Sequence, residues 1–386
     1  MHLLLMLFAF TNGQNVLYPL YTSPQPAEKP CTLYSCSPST ETTEFYSLCL
    51  EYNNFTTGNI VGNYSIVGCT NPYEKNNFCD ATQVDIFNKS TYQVTCNIPN
   101  LSYGIVYPGE SPCASNAACT SNICEFGTCS GLPLKSTCTS SNQCQPGLQC
   151  IPNKYYPSIT ICDELLRPGQ GICQTDIDCV NSAGCDYNIT SSFGECRPYF
   201  SVKVGGAILG CVNNVSLICE TGMCGPMAND SQLFICKNAV KSAYKQPIAC
   251  LTGVECVDAT KTLYTKCSCG MNSDGIKYCQ PFPGDSVTKS LIQALSKWTK
   301  SLSALSCINE RRWSLTCMKS TKTILYDELK YTMLHYMNYT AIQNNEECVK
   351  DVFTYQYWDA KYNYEYTSSF STTFQVVSLS LVTLIL

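Results

Sequence analysis

The chain changes its hydrophobic rhythm along its length, and each rhythm predicts a different kind of element. Apolar positions alternate with polar ones at Val84 and Ile86, and again at Tyr92, Val94, Cys96 and Ile98. Period-two alternation rich in β-branched and aromatic residues predicts strand. From Asp285 the period lengthens: Val287, Leu291, Leu295, Trp298, Leu302 and Leu305 recur at steps of three and four. That spacing predicts an amphipathic helix with Asp285 or Ser286 as N-cap. Ile324, Leu325, Leu329, Met333 and Tyr336 predict a second helix over 321–337. Core packing is the expected use of both stripes, because a helix lying on a membrane would carry Lys and Arg along its polar face.

Between these regions neither period holds, and cysteines and turn residues set the pattern. Residues 113–196 hold twelve cysteines in three similar clusters: Cys113-x5-Cys119-x4-Cys124, Cys138-x5-Cys144-x5-Cys150 and Cys173-x5-Cys179-x5-Cys185, with Cys129, Cys162 and Cys196 beside them. Turn formers flank most clusters, at Pro108-Gly109, Gly131-Leu132-Pro133, Pro146-Gly147 and Pro168-Gly169-Gln170-Gly171. A looser fourth copy follows at Cys211, Cys219, Cys224 and Cys236, and Cys250, Cys256, Cys267, Cys269 and Cys279 form a further knot. In that knot Cys267 and Cys269 are expected to staple different neighbours. Asn272-Ser273-Asp274-Gly275 has Gly270 and Pro281 where a calcium loop needs acidic residues, so it reads as a tight turn.

Repeats of this size are short hairpins stapled by cystines, each too small to bury a core alone. The expected fold is a set of small disulfide-rich modules with short β-hairpins, forming an elongated array, followed by a short α-helical C-terminal region. Cross-links, and not a large apolar interior, are expected to hold most of the chain in shape. Cys307, Cys317 and Cys348 are expected to tie the helices to each other or to the preceding knot.

The two ends point to a secretory route. Met1–Phe10 is short and apolar and precedes Thr11, Asn12 and Gly13, which reads as a signal peptide. The final run from Phe374 to Leu386 is too short to span about 30 Å of hydrocarbon comfortably. Behind the small residues Thr367, Ser368 and Ser369 it reads as a GPI-attachment signal, with those three as candidate lipid-attachment residues. The expected segments are a signal peptide over 1–13, a cysteine-containing β-rich module over 14–107 and cysteine-rich repeats over 108–200. A further cysteine-rich module over 201–284, a helical region over 285–350, an aromatic stalk over 351–367 and the attachment signal over 368–386 complete the chain.

Composition agrees with that route. Thirty cysteines, an even number, read as a disulfide framework and imply an oxidising compartment. Structural zinc is disfavoured, since no Cys-x2-Cys pair occurs and the two histidines are His2 and His335. Charged residues make up only 14%, the net charge is −5 and no basic block exists, so nucleic acid is not an expected partner. Sequons at Asn54, Asn63, Asn88, Asn100, Asn188, Asn214, Asn229 and Asn338 make the chain a candidate glycoprotein.

Cys173-Gln174-Thr175-Asp176-Ile177-Asp178-Cys179-x5-Cys185 resembles the opening of the Dickkopf N-terminal cysteine-rich domain, a Cys-x2-Asp-x2-Cys step with a third cysteine beyond it. Cys138–Cys150 resembles it too, with Pro146-Gly147 before the third cysteine and Ser141 where the Asp would be. The likeness covers about a quarter of the chain. The whole organisation is similar to ciliate cysteine-rich surface proteins that carry such segments between a signal peptide and a hydrophobic tail. Dickkopf receptor antagonism is associated with a second, colipase-like domain, of which the chain carries no copy, so that activity is not implied.

Catalytic chemistry finds little to work with. His335 is the one histidine beyond the leader, no Gly-x-Ser-x-Gly turn or Gly-rich phosphate loop occurs, and the pairs Asp176/Asp178 and Glu346/Glu347 are ordinary in spacing. No catalytic, cofactor or metal residue is expected, and the chain is not read as an enzyme. The aromatic residues Phe353, Tyr355, Tyr357, Trp358, Tyr362, Tyr364 and Tyr366 suit packing or a stalk better than stacking on sugars. The expected role is a lipid-anchored, glycosylated surface protein that coats or adheres. It would contact the membrane through its anchor and engage a protein or glycan partner or itself. A signalling ligand or receptor module is the alternative, and a secreted enzyme or inhibitor a lesser one.

Overall fold

The computed structural model describes residues 17–29, 106–110, 113–153, 155–156, 158–170, 172–188, 193–228, 230–301, 324–343 and 346–350. It also describes Cys31, Arg312, residues 360–362, Tyr364 and five short strands before residue 98. Strands β1 (Leu33–Cys36), β2 (Ser47–Phe55) and β3 (Gly62–Cys69) form a sheet in the order β1-β3-β2. β4 (Phe78–Cys79) pairs with β5 (Cys96–Asn97). The alternation expected at Val84–Val94 lies outside the described residues. So do both apolar ends and Leu302, Leu305, Cys307 and Cys317.

From Cys113 to Cys279 one small motif is built five times. Each copy has two cystines joining its first cysteine to its third and its second to its fourth. The pairs are Cys113–Cys124 with Cys119–Cys129, Cys138–Cys150 with Cys144–Cys162, and Cys173–Cys185 with Cys179–Cys196. They continue as Cys211–Cys224 with Cys219–Cys236, and Cys250–Cys267 with Cys256–Cys279. The third and fourth cysteines face each other across an antiparallel pair. Cys124 opposes Cys129 in β6 (Cys124–Glu125) and β7 (Thr128–Cys129), and Cys150 opposes Cys162 in β8 (Leu148–Pro152) and β9 (Thr160–Glu164). Cys185 opposes Cys196 in β10 (Ala183–Asn188) and β11 (Phe193–Pro198).

In the fourth copy β12 (Ala207–Ile208) joins β13 (Cys224–Met227) and β14 (Asp230–Cys236), which places Cys224 opposite Cys236. In the fifth, β15 (Ala249–Cys250), β16 (Cys267–Cys269) and β17 (Lys277–Cys279) place Cys267 opposite Cys279. Opposed residues on a ladder project from one face, so each hairpin turns two sulfurs onto the loop that precedes it. The looser copy and the further knot of the sequence are thus the fourth and fifth repeats of one design.

The entry to each of the first four copies is as regular as its bridges. An apolar linker residue pairs in parallel with the second cysteine: Val106 with Cys119, Leu132 with Cys144, Leu166 with Cys179 and Val202 with Cys219. Three residues later the backbone is left-handed, at Gly109 (φ 87°), Lys135 (67°), Gly169 (78°) and Gly205 (85°). The N–H there donates to the carbonyl of the fourth cysteine, at 2.7, 2.7, 3.1 and 2.9 Å in that order. The Pro-Gly pairs at 108 and 168 serve this turn, in which the third residue needs positive φ. Inside the first two modules the apolar contents are the cystines and two aliphatic side chains, Val106 and Ala118 in the first, and Leu132 and Leu148 around Cys138, Cys144 and Cys162 in the second.

In one region the interior is apolar side chains and not cystine alone, and it is where the two helical stripes pack, as their spacing predicts. Helices α1 (Ser286–Thr299) and α2 (Ile324–Met337), with the short α3 (Tyr339–Ile342), lie over the fourth module. α1 brings Val287, Leu291, Ile292, Leu295 and Trp298, and α2 brings Tyr326, Leu329, Met333 and Tyr336. These pack with Ile208, Val215, Leu217, Ile218 and Met223 of the module and with Leu17 and Leu20. Burial of this apolar surface contributes roughly 25 cal/mol per Å². Asp285 stands just before α1 but makes no cap bond; its carboxylate accepts the N–H groups of Ser242 (2.9 Å) and Phe282 (2.8 Å). It therefore fixes the helix start to the linker after the fourth module.

Residues 17–29 run as a strap along the last two modules. Leu20 N–H donates to Asn213 O, Tyr21 and Tyr264 exchange two backbone bonds, and Glu28 N–H donates to Cys267 O, all at 2.8–2.9 Å. Two cystines extend the strap, Cys31–Cys269 and Cys36–Cys348, spanning 238 and 312 residues of sequence. Cys267 and Cys269 thus bond different partners, Cys250 and Cys31. Cys348 does not tie the helices to each other or to the knot; it bonds Cys36. The sequence offered no way to choose between partners so remote.

Two outcomes follow for stability. Lys135 occupies the left-handed position that is Gly in the three sister copies, and its ion pair with Asp163 is exposed. Lys135→Gly should therefore raise unfolding stability by about 0.5 kcal/mol, as relief of the left-handed side chain outweighs a weak surface pair, read by denaturant titration. In the fifth module, burial of the Asp258 carboxylate raises its pKa, but bonds from Thr260, Thr262 and Leu263 outweigh this and hold it below the usual range. A lowered folded-state pKa contributes stability that is present above about pH 3.9 and is lost as pH falls through the folded value. Asp258→Asn should cost about 1–3 kcal/mol at neutral pH and flatten this acid limb, measured by unfolding at pH 7 and below 4.

Candidate interaction surface

One position near the start of the module has the same local task in three copies. Three residues after the first cysteine, a side-chain oxygen accepts the N–H of the third cysteine. Asn116 Oδ1 takes Cys124 N–H at 2.8 Å, Ser141 Oγ takes Cys150 N–H at 3.1 Å and Asp176 Oδ1 takes Cys185 N–H at 2.8 Å. Any short oxygen acceptor satisfies that backbone donor, which explains why the residue type varies.

Asp176 goes further than its counterparts. Its Oδ2 accepts a hydrogen bond from the Tyr199 hydroxyl at 3.0 Å, and the Tyr199 hydroxyl oxygen in turn accepts one from Arg312 Nη1 at 2.9 Å. Arg312 is buried and also donates to Ala183 O (2.7 Å) and Cys179 O (2.9 Å), with its guanidinium 5.9 Å from the Tyr199 ring centre. Burial pushes the Asp176 carboxyl up from its usual pKa, the Arg312 charge opposing it, and burial also pushes the Tyr199 phenol up. Beside this lies a second inward carboxylate. Asp186 accepts Leu209 N–H at 2.9 Å and Gly210 N–H at 3.0 Å, with Arg197 Nε 3.4 Å away. A Cβ on Gly210 would stand 1.9 Å from Tyr187 O. Two carboxylates, a phenol and two guanidinium groups thus lock the third module to the fourth and to the chain beyond α1. Their lone pairs and donors are consumed by structure.

The hairpin turns are the opposite. Phe126 is fully exposed at the tip of β6–β7, in a left-handed conformation (φ 51°) followed by Gly127 (φ 77°). Two successive positive φ values make the two-residue turn of a tight hairpin, where Asn, Asp or Gly is the usual first residue. Tyr155 and Tyr156 are 80% and 66% exposed in the turn between β8 and β9. Leu233 on the fourth hairpin and Leu251 and Val254 in the loop of the fifth module are also exposed. Sequence reasoning did not single these side chains out. A signal was present: Cys124-x4-Cys129 leaves room only for a two-residue turn, and Phe is out of place in it.

The residues expected to be functional are placed as follows. The twelve cysteines of 113–196 are all in cystines. Sulfur triads close enough to hold an ion, such as Cys138, Cys144 and Cys162, belong to these bridges and offer no thiolate ligand. Asn188 ends β10, while Asn214 and Asn338 are half-buried with amides donating to Leu20 O (3.2 Å) and Leu334 O (3.0 Å). Asn54 and Asn63 lie in β2 and β3, and Asn88, Asn100, Asn229, Thr367, Ser368 and Ser369 lie outside the described residues. His335 is half-buried on α2, with Tyr331 and Tyr339 ring centres at 6.1 and 6.3 Å. Burial lowers its pKa, and the Lys361 charge adds to this. Tyr364 of the aromatic stretch stacks on Tyr331 at 5.4 Å and Tyr362 is exposed.

Set against protein families, curated proteins and solved structures, the chain matches none. The reading therefore rests on the residues. Dense disulfide pairing fits an extracellular or secreted cysteine-rich protein. Among the described residues no helix is long and apolar enough to cross a membrane.

The buried joint is open to direct test. Arg312→Ala should destabilise by about 2–4 kcal/mol in denaturant unfolding, because it leaves two carbonyls and Tyr199 without a donor in a closed space. Arg312→Lys should rescue less than half of that loss, since one ammonium does not reproduce the planar fork.

Proposed function

We propose that this chain is a secreted surface protein whose cystine-pinned modules act as a coat or adhesive layer, held to the membrane by a C-terminal lipid and carrying glycans on several sequons. The observation that carries this reading is the contrast between joints and turns. Polar groups with chemical potential are used up between modules, while large apolar side chains, above all Phe126, are held in water at the turns. A bulky residue kept in a left-handed turn costs about 1 kcal/mol or more against Gly or Asn. Such a cost is tolerated where the side chain meets a partner, and exposed apolar groups mark such contacts. The resemblance of Cys173–Cys185 to a Dickkopf cysteine-rich segment agrees with a protein-binding scaffold. The two apolar ends support secretion and anchoring.

The partner in a coat is a further copy of the same chain. Phe126→Asn combined with Tyr155→Ser and Tyr156→Ser should leave the fold intact, raise stability by about 1 kcal/mol or more through the Asn-Gly turn, and lower self-association of the displayed protein at least several-fold. Self-association is read by sedimentation of the released ectodomain, and release by a phosphatidylinositol-specific phospholipase tests the anchor. Self-association unchanged by the triple substitution would remove the coat reading. A stoichiometric foreign protein lost with the same substitution would replace it with a signalling role.

A further inference from the structure

The twelve described cystines differ in how far water reaches them. Each of the ten inside the modules keeps at least one half-cystine buried, and most keep both. Cys36–Cys348 keeps Cys348 buried. Among the described residues, Cys31–Cys269 is the one bridge with both halves partly open to solvent. It also stands outside the apolar cluster of the fifth module, which takes in Cys250, Cys256, Cys267 and Cys279.

Its surroundings are charged. Lys277 lies directly opposite Cys269 on the β16–β17 ladder, and opposed residues share a face. Lys29 is exposed two residues before Cys31. The acidic neighbour, Glu28, accepts Cys269 N–H through Oε2 at 3.0 Å. A cation beside a cysteine favours its thiolate, and a better-stabilised thiolate is the better leaving group in exchange.

We propose that Cys31–Cys269 is an exchangeable cystine, the site at which an external dithiol acts on this protein. A thiolate of the dithiol attacks Cys31 Sγ and forms a mixed disulfide. The Cys31–Cys269 bond breaks and the electron pair leaves on Cys269 Sγ, on the ladder face shared with Lys277; the sulfur then takes a proton. The second thiol of the reagent, as thiolate, attacks its own sulfur in the mixed disulfide and expels Cys31, which is protonated in turn. The dithiol is oxidised to a disulfide and the protein gains two thiols, a two-electron exchange. The product keeps its modules. Residues 17–29 remain bonded to Asn213, Tyr264 and Cys267 through the backbone, and Cys36–Cys348 remains closed. What opens is the covalent link, 238 residues long in sequence, between the strap and the fifth module. The site is thus a clasp that thiol–disulfide exchange releases without unfolding the array.

The test uses the full chain with dithiothreitol as the probe, N-ethylmaleimide as the trap and peptide mass spectrometry as the readout. Cys31 and Cys269 should be alkylated about ten-fold faster than any cysteine of the five modules and than Cys36 or Cys348, with circular dichroism unchanged. Lys277→Glu should slow this opening about three-fold or more, whereas Lys261→Glu, at an exposed turn of the same module, should leave it unchanged. Alkylation of any module cysteine as fast as Cys269 overturns the proposal. So does loss of the native spectrum at the same rate as Cys269 labelling, which would mean that the bridge opens only on unfolding. An unaltered rate in Lys277→Glu overturns the assignment of the leaving group.

Discussion

Two crossed cystines in every module are the constraint on which the rest of this molecule depends. Each module brings too few apolar side chains together to exclude water by itself. Tying the first cysteine to the third and the second to the fourth closes loops of 10 to 23 residues in sequence separation. Loops of that size are each expected to contribute about 3 kcal/mol by narrowing the unfolded ensemble. The opposed third and fourth cysteines also turn a two-strand hairpin, marginal on its own, into a lid over the preceding loop. The sulfur atoms take the place that leucine and valine hold in a larger domain.

Where the chain is long enough, ordinary burial returns. α1 and α2 close over the fourth module and enclose Trp298, Leu329, Met333 and Phe282 together with Leu17 and Leu20 of the strap. Such a core fixes geometry through packing, and it explains why the chain before the first repeat is drawn across the last two. The remote cystines then record that proximity in covalent form. Among the described residues, cross-linked modules are thus joined by one large hydrophobic centre formed by the fourth module, the helices and the strap.

The joints and the turns divide the remaining work. Buried carboxylates at Asp176 and Asp186, with Tyr199, Arg312 and Arg197, resist desolvation only because each oxygen has a donor, so the angle between the third and fourth modules is well specified. The turns carry no such duty. There Phe126 stands in water in a left-handed conformation, against local preference.

Much of this was legible in the chain itself. Cysteine number and spacing imply an oxidising compartment and small stapled modules. The period of 3.6 after Asp285 announces a helix, which the structure places at Ser286–Thr299, and the Pro-Gly pairs announce turns. Those features are local, since spacing along the chain decides them. The fourth cluster could be read as a looser copy, but tertiary structure alone decided that the fifth cluster repeats the others, with Cys250 joined to Cys267 and Cys256 to Cys279 while Cys269 bonds outside the module. It alone chose Cys269 for Cys31 and Cys348 for Cys36, and brought Arg312 to Asp176 and Tyr199. Those choices depend on which surfaces meet across hundreds of residues. Loop entropy rises only slowly with length, so chain separation barely discriminates between remote partners, and the packed core makes the selection.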